Sequence, residues 1–378
     1  MKRYDFGSGR PDPASFPVQG LVEAAIHAIP KIGGDFVLYP GDKGHLGLRE
    51  VMAARESRRE GVKVSPDDIA LMTGSMQAVT LMAEAFMEQR GDVILTEEFT
   101  YSGTIGAYKK LGAELVGVPL DGDGMRPDLL EETIKRLIAE GRRPKFIYTL
   151  ATYQNPTGSV MPLDRRREIL GIANRHGVIL VEDNCYGDVK FEGEHVPAFY
   201  TLDGAENVLY ICSLSKVLAP GVRLGYLLAR PPMMRRALDR RYDGGNSVLA
   251  ACIVGEYFRE NMWDHIGKVC RIIQEKRDTL FNSLEKHLGD IATWSHPVGG
   301  LFLWLKLPET TDMDRLQQLA GERGVVFARG RGFHVYGQDV KYIRLAFGYP
   351  GLEEIREGVK VLAQCVREAQ RIDNPMQA

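Results

Sequence analysis

A chain of 378 residues, 44% hydrophobic and 26% charged, is long enough for one large and one small domain around a substantial core. Its net charge of −2 gives no electrostatic reason to expect nucleic acid or an anionic membrane as a partner. The five cysteines show no CxxC and the eight histidines no HExxH, so a zinc site is not expected and a reducing cytoplasm fits.

Residues 1–20 open without the apolar run of a signal peptide, and no apolar run is long enough to span a bilayer. The three prolines of PDPASFP favour extended chain, read here as an arm draped over another surface. Leu21 to Ile29 reads as a short amphipathic helix, and Leu48 to Arg59 as a second one after a glycine-rich loop holding Tyr39 and Gly44. Ile69 to Met72 is a short strand ending at Gly74, Ser75, Met76 and Gln77, before a long helix through Glu88. Small residues at such a turn leave backbone N–H groups free for a phosphate, and an ordinary N-cap serine is the plainer account.

Strand 92–96, helix 102–111, strand 114–118, an Asp/Gly turn at 121–124 and helix 127–140 continue the alternation. Strand 145–150 leads into Asn155-Pro156-Thr157-Gly158, a turn by its chemistry; helix 164–176 follows, then strand 178–181. This pattern predicts an α/β fold, a mostly parallel sheet between helices, with ligands bound beyond the carboxyl ends of the strands. Glu182 and Asp183 close an apolar strand. A carboxylate there needs a partner to stay charged, and a pyridinium nitrogen is one; a helix N-cap or surface role suits Glu182 better. Cys185 and Cys212 read as small core residues.

Val208 to Cys212 is a buried strand running into Ser213-Leu214-Ser215-Lys216, with Arg223 seven residues on. A lysine at such a strand end is costly unless it is neutralised, paired or used. Hydroxyls before it and an arginine after it suit a phosphate, so the set describes a Schiff base to pyridoxal phosphate, and a surface loop with an incidental lysine is the plainer account of the run taken alone. Long helices occupy 231–290, interrupted by Asp243 to Ser247, and shorter elements follow from about 291. Arg344 lies in an apolar strand, where its fork suits an α-carboxylate or a structural salt bridge. Arg329 and Arg331 read as solvated charges near the pocket mouth.

The run SLSKVLAPGVRLGY resembles the lysine segment of fold-type-I, class I/II pyridoxal-phosphate aminotransferases, closest to the 2-aminoadipate and aromatic (kynurenine-type) branch. The likeness extends over residues 6–365 with the motifs in family order: FGSGRPDPASFP, Tyr39-x4-Gly44-x3-Leu48-Arg49, the Gly74 turn, Tyr101, NPTG, Asp183 with Tyr186, and Lys216. It implies a seven-stranded large domain with a smaller α+β domain: an arm at 1–30 partly in the small domain, a cofactor domain at 31–280, and a small domain at 281–378, with a soft boundary near 270–290. It implies a Lys216 aldimine with pyridoxal 5'-phosphate and a ping-pong exchange between an L-amino acid and a 2-oxo acid. Lys216, Asp183 and Tyr101 would be catalytic, Tyr101 stacking on the ring. Gly74, Ser75, Met76, Asn155, Tyr186, Ser213, Ser215 and Arg223 would hold the cofactor, with Gln77 near them. Tyr39 would reach the phosphate of the other subunit of a homodimer. Arg344, Asn155, Gly9 and Arg10 would bind substrate. A same-fold lyase, decarboxylase or oxidase shares every one of these residues, because the cofactor supplies the carbanion and substrate placement selects the bond. Related transcription regulators carry a DNA-binding helix-turn-helix ahead of the arm, so the absence of one here favours an enzyme, cytoplasmic and in amino-acid metabolism.

Overall fold

The computed structural model describes residues 2–370. A short strand β1 (Tyr4–Asp5) opens the chain and is followed by α1 (Val18–Ile32) and α2 (Leu46–Glu60). Strands then alternate with helices: β2 (Ile69–Met72), α3 (Ser75–Phe86), β3 (Val93–Glu97), α4 (Ser102–Leu111) and β4 (Glu114–Val118). A small hairpin, β5 (Leu120–Asp121) and β6 (Gly124–Met125), precedes α5 (Pro127–Ala139), β7 (Phe146–Thr149), α6 (Leu163–His176) and β8 (Ile179–Asp183). After β9 (Val208–Ser213) and β10 (Gly225–Ala229) come α7 (Pro231–Leu238) and α8 (Val248–Leu288). The remainder is β11 (Thr293–Trp294), β12 (Phe302–Lys306), α9 (Met313–Glu322), β13 (Val325–Val326), β14 (Ala328–Arg329), β15 (Tyr342–Ala346) and α10 (Leu352–Glu368).

Seven strands form one sheet in the order β2-β10-β9-β8-β7-β3-β4, in which β10 alone runs against its neighbours. The seven-stranded, mostly parallel sheet expected from the alternation is therefore present. A second sheet, β11-β12-β15-β14, is antiparallel throughout. Helix α1 starts three residues before the predicted helix, just after Pro17, where a chain reversal is allowed and the first N–H groups have no helical partner anyway. The 41-residue α8 spans most of the stretch near 270–290 where the soft domain boundary was expected. The last domain's predicted end, residues 371–378, lies outside the described residues.

The arm is tied down by backbone pairing. Strand β1 pairs in parallel with β13, Phe6 donates to Val326, and Ala346 donates to Phe6. Asp12 forms an ion pair with the buried Lys276 of α8. These contacts carry residues 7–10 along the edge of β15 toward the large sheet.

Parallel register decides which face each strand residue serves. Tyr148 pairs with Val181 and Thr149 with Glu182, so Asp183 shares a face with Tyr148 while Glu182 points to the other. On its face Glu182 is fully buried, correcting the expectation of a surface or capping acid. Its partners are the Phe199 N–H at 2.8 Å and Arg166 of α6 at 3.5 Å. Desolvation pushes the Glu182 carboxyl up to about 7 despite the Arg166 charge. Arg166 also donates to the carbonyls of Ala151, Met161 and Pro197, and so braces the turn that holds Asn155. Replacing Arg166 by Met leaves Glu182 buried beside no cation. A loss of about 3 kcal/mol is expected, read as a lower urea midpoint and partly recovered by adding Glu182→Gln; an unmoved midpoint would show that the pair contributes nothing.

Candidate active site

Five strand ends and one strand start meet at a single edge. Strands β2, β3, β7, β8 and β9 deliver, at or just past their carboxyl ends, the Gly74-Ser75 turn, Tyr101, Asn155, Asp183 and Lys216. Because β10 runs the opposite way, Arg223, two residues before it, falls at that same edge. They surround a cavity of about 370 Å³, lined by Ser75, Met76, Tyr101, Asn155, Asp183, Tyr186, Ser213, Ser215, Lys216, Arg223 and Arg344, and by Gly7, Gly9 and Phe302.

One end of the cavity suits a phosphate. Gly74, in the left-handed region at φ 75°, caps α3 without a side-chain bond, so the first N–H groups of the helix stay open. A Cβ on Gly74 would sit 2.8 Å from the Arg223 guanidinium, and one on Gly225 would lie 3.0 Å from the Ser75 nitrogen. Arg223 is itself left-handed (φ 52°) and donates to the Thr73 carbonyl at 3.0 Å, which aims it across the turn. The Ser213 hydroxyl accepts the Ser215 N–H at 3.2 Å and faces the same space.

At the floor lies Asp183, 4% exposed, whose Oδ1 has no hydrogen-bond partner. Desolvation pushes its carboxyl up, while Cys185, Tyr148 and Lys216 draw it back down. A buried carboxylate oxygen with nothing to accept from is the place for a buried cation. Lys216 enters from above, its Nζ donating to the Gly9 carbonyl at 2.7 Å and lying 5.8 Å from the Tyr186 ring centre. Desolvation, reinforced by Arg344, pulls its amine down to about 8, although Cys185 and Asp183 oppose this.

Opposite, Arg344 is 6% exposed and held between the Phe302 and Phe333 rings at 4.1 and 4.7 Å. It donates to Asn155 Oδ1 at 2.9 Å and to the Gly7 carbonyl at 2.7 Å, while its Nε is unpartnered. Among the described residues no acid pairs with it, which removes the structural salt bridge as its explanation. Its bond to Oδ1 turns the Nδ2 of Asn155 away as the free donor. Desolvation lowers the Arg344 guanidinium to about 10.

Several expectations come out differently. Arg10 does not line the cavity; it pairs with Asp5 at 3.1 Å and stacks over Tyr349 at 4.1 Å. Gln77 turns away, accepting from the Thr73 N–H and donating to Asp243. Cys185 is a wall residue of the cavity as well as a buried one. Arg329, read as solvated, is tied to Asp314 and Asp339. Tyr39, expected to serve another subunit, departs from no expectation: it is 88% exposed beside Gly244, outside this subunit's cavity. The sequence reading passed over Gly7, whose carbonyl reaches Arg344 from a chain segment 337 positions away, and Glu97. Glu97 accepts from the Thr149 hydroxyl and the Leu150 N–H at 2.6 and 2.9 Å, and burial pushes its carboxyl up to about 7. The first of two adjacent acids closing an apolar strand was the one available signal. Among the described residues no group of three or more His, Cys, Asp or Glu could hold a metal ion.

Comparison with known proteins places these features in context. A family model described as Aminotransferase class I and II matches residues 4–362. Aromatic-amino-acid aminotransferase 1 of Thermococcus litoralis is 34% identical over 95% of this chain and 87% of its own length. The crystal structure of LysN, the alpha-aminoadipate aminotransferase of Thermus thermophilus complexed with N-(5'-phosphopyridoxyl)-L-leucine, superposes with a TM-score of 0.88 at 29% identity. The match covers 97% of this chain and 92% of that one. An uncharacterized HTH-type transcriptional regulator of Bacillus subtilis, YisV, is 31% identical over 87% of this chain and 67% of its own length.

The lowered lysine has a direct chemical consequence. Below about pH 8 the Lys216 amine is a cation, and above it a neutral nucleophile. Condensation of Lys216 with a small aromatic aldehyde is expected to be half-maximal near pH 8, read by mass spectrometry of the borohydride-reduced adduct; a midpoint above about 10 would mean a fully hydrated amine.

Proposed function

The chain belongs to the class I and II aminotransferases and is a pyridoxal-phosphate-dependent transaminase, and from that premise we propose that Lys216, Asp183 and Arg344 carry its reaction. The cavity supports this reading: the partnerless Oδ1 of Asp183 suits the ring nitrogen, and the Gly74-Ser75 turn with Ser213 and Arg223 suits the phosphate. Tyr101 would cover the ring face, and Asn155 Nδ2 and the Tyr186 hydroxyl would donate to its phenolic oxygen. Bound there, the cofactor supplies the aldehyde that takes up the amino group and the ring that accepts the electron pair left at the substrate's Cα.

The rest falls to the chain. Arg344 receives the α-carboxylate, its Nε free and its plane fixed by Phe302, Phe333 and Asn155. This orients the Cα–H toward Lys216. In its neutral form the Nζ takes that proton as a general base, and the cation it becomes returns a proton from the same place. Asp183 stays charged beneath, and the Phe302, Tyr101 and Tyr186 rings narrow the space left for water. The observation that carries the assignment is Lys216, Asp183 and Arg344 lining one cavity.

The side chain of the donor is read as uncharged. Arg10 and Arg329 are both neutralised by acids outside the cavity, and the wall beside Arg344 is aromatic. The aromatic-amino-acid aminotransferase among the relatives agrees with that class. We read the enzyme as a homodimer in which Tyr39 serves the other subunit's phosphate. Supporting this, Val18, Val22, Ile26, Val37, Leu38 and Tyr39 are exposed apolar side chains on one stretch of chain. We keep the division into a cofactor domain at 31–280 and a small domain at 281–378 whose strand β13 pairs with the arm. Five free thiols agree with a cytoplasmic setting, and amino-acid metabolism is the pathway class.

Three outcomes are expected. Lys216→Ala abolishes turnover and the visible absorbance of the bound cofactor, and full retained activity would refute the assignment. Arg344→Lys raises KM for amino donors about tenfold or more with a smaller change in kcat, and phenylalanine is turned over with a higher kcat/KM than 2-aminoadipate; steady-state kinetics check both.

A further inference from the structure

The two oxygens of Asp183, which lines the cavity, stand in different surroundings. Its Oδ1 is buried without a partner, whereas Oδ2 accepts a 2.6 Å hydrogen bond from the Tyr148 hydroxyl. Register produces that bond, because Tyr148 pairs with Val181 and so shares a sheet face with Asp183 two residues further on. Tyr148 is fully buried, and its oxygen accepts a 3.0 Å bond from the Thr104 hydroxyl. Thr104 stands in the first turn of α4, the helix whose N-cap is Tyr101. Tyr108, one turn later on the same face, meets the Tyr148 ring edge-on at 5.8 Å. One helix therefore presents Tyr101 to the cavity at its start and clamps Tyr148 with its next two turns.

We propose that Tyr148, oriented by Thr104, is a positioning residue that sets which atom holds the proton between Asp183 and the cofactor's ring nitrogen. Its bond holds Oδ2 and so fixes the plane of the carboxylate that lines the cavity. By donating to the charged form it also lowers the carboxylate's affinity for a proton, which leaves that proton on the nitrogen. A ring nitrogen that keeps its proton is the stronger electron acceptor. Burial, with Asp183 adding to it, pushes the Tyr148 hydroxyl well above its ordinary range, so it remains a donor at every working pH. The inference rests on the assignment of Asp183 to the ring nitrogen.

The test uses holoenzyme loaded with ¹⁵N-labelled pyridoxal phosphate, read by the nitrogen chemical shift alongside steady-state kinetics. Wild type is expected to show a protonated ring nitrogen. Tyr148→Phe is expected to move the signal toward the unprotonated position and to lower kcat about tenfold, with KM for the amino donor within about twofold. A purely structural tyrosine would leave the shift in place, and an unmoved signal in Tyr148→Phe overturns the inference alone. An unprotonated nitrogen in wild type overturns the Asp183 assignment and this inference with it. Should Tyr148→Phe not fold, Thr104→Val decides: a shift in the same direction supports the relay, and an unmoved signal overturns it.

Discussion

A buried carboxylate with one unsatisfied oxygen is the constraint on which this structure turns. Asp183 sits at the carboxyl end of a central strand, where burial disfavours its charge. Everything around it limits that cost. Tyr148 satisfies Oδ2 and the Lys216 cation lies across the cavity, while Oδ1 is without a hydrogen-bond partner. The same burial pulls the Lys216 amine down toward neutrality, so one physical effect shifts both groups toward their uncharged forms.

Sheet geometry separates two neighbouring acids into different roles. Asp183 and Glu182 are adjacent in sequence, yet strand alternation sends one to the cavity face and the other to α6. There Arg166 holds Glu182 and the carbonyls of the following turn, so the ion pair below the sheet supports the position of Asn155 above it. Asn155 in turn fixes Arg344. The Arg344 end of the cavity thus depends on a buried pair that does not line it.

The arm links the two sheets through its backbone. Its pairing with β13 and β15 places the Gly7 and Gly9 carbonyls on Arg344 and Lys216. Glycine is required at position 9, because a Cβ would lie 2.7 Å from the Phe302 ring. Carbonyl acceptors on the two functional cations limit their wandering without adding a competing negative charge.

By itself the sequence determined the alternation, the near limits of most strands, and the residues at their ends. Small residues before α3, the Asn155 turn, Asp183, Lys216 and Arg223 each break a local apolar pattern in a way a folded chain must explain, and all of these face the cavity, whereas Gln77 and Arg10 turn away from it. What only the tertiary structure decided are relations between distant segments. That Arg10 turns to Tyr349, that the Gly7 carbonyl meets Arg344, and that Tyr148 adjoins Asp183 depend on register and on the path of the arm. Composition and periodicity report which side chains seek burial; they carry no record of which buried polar atoms will share a face, because that is fixed only when strands pair.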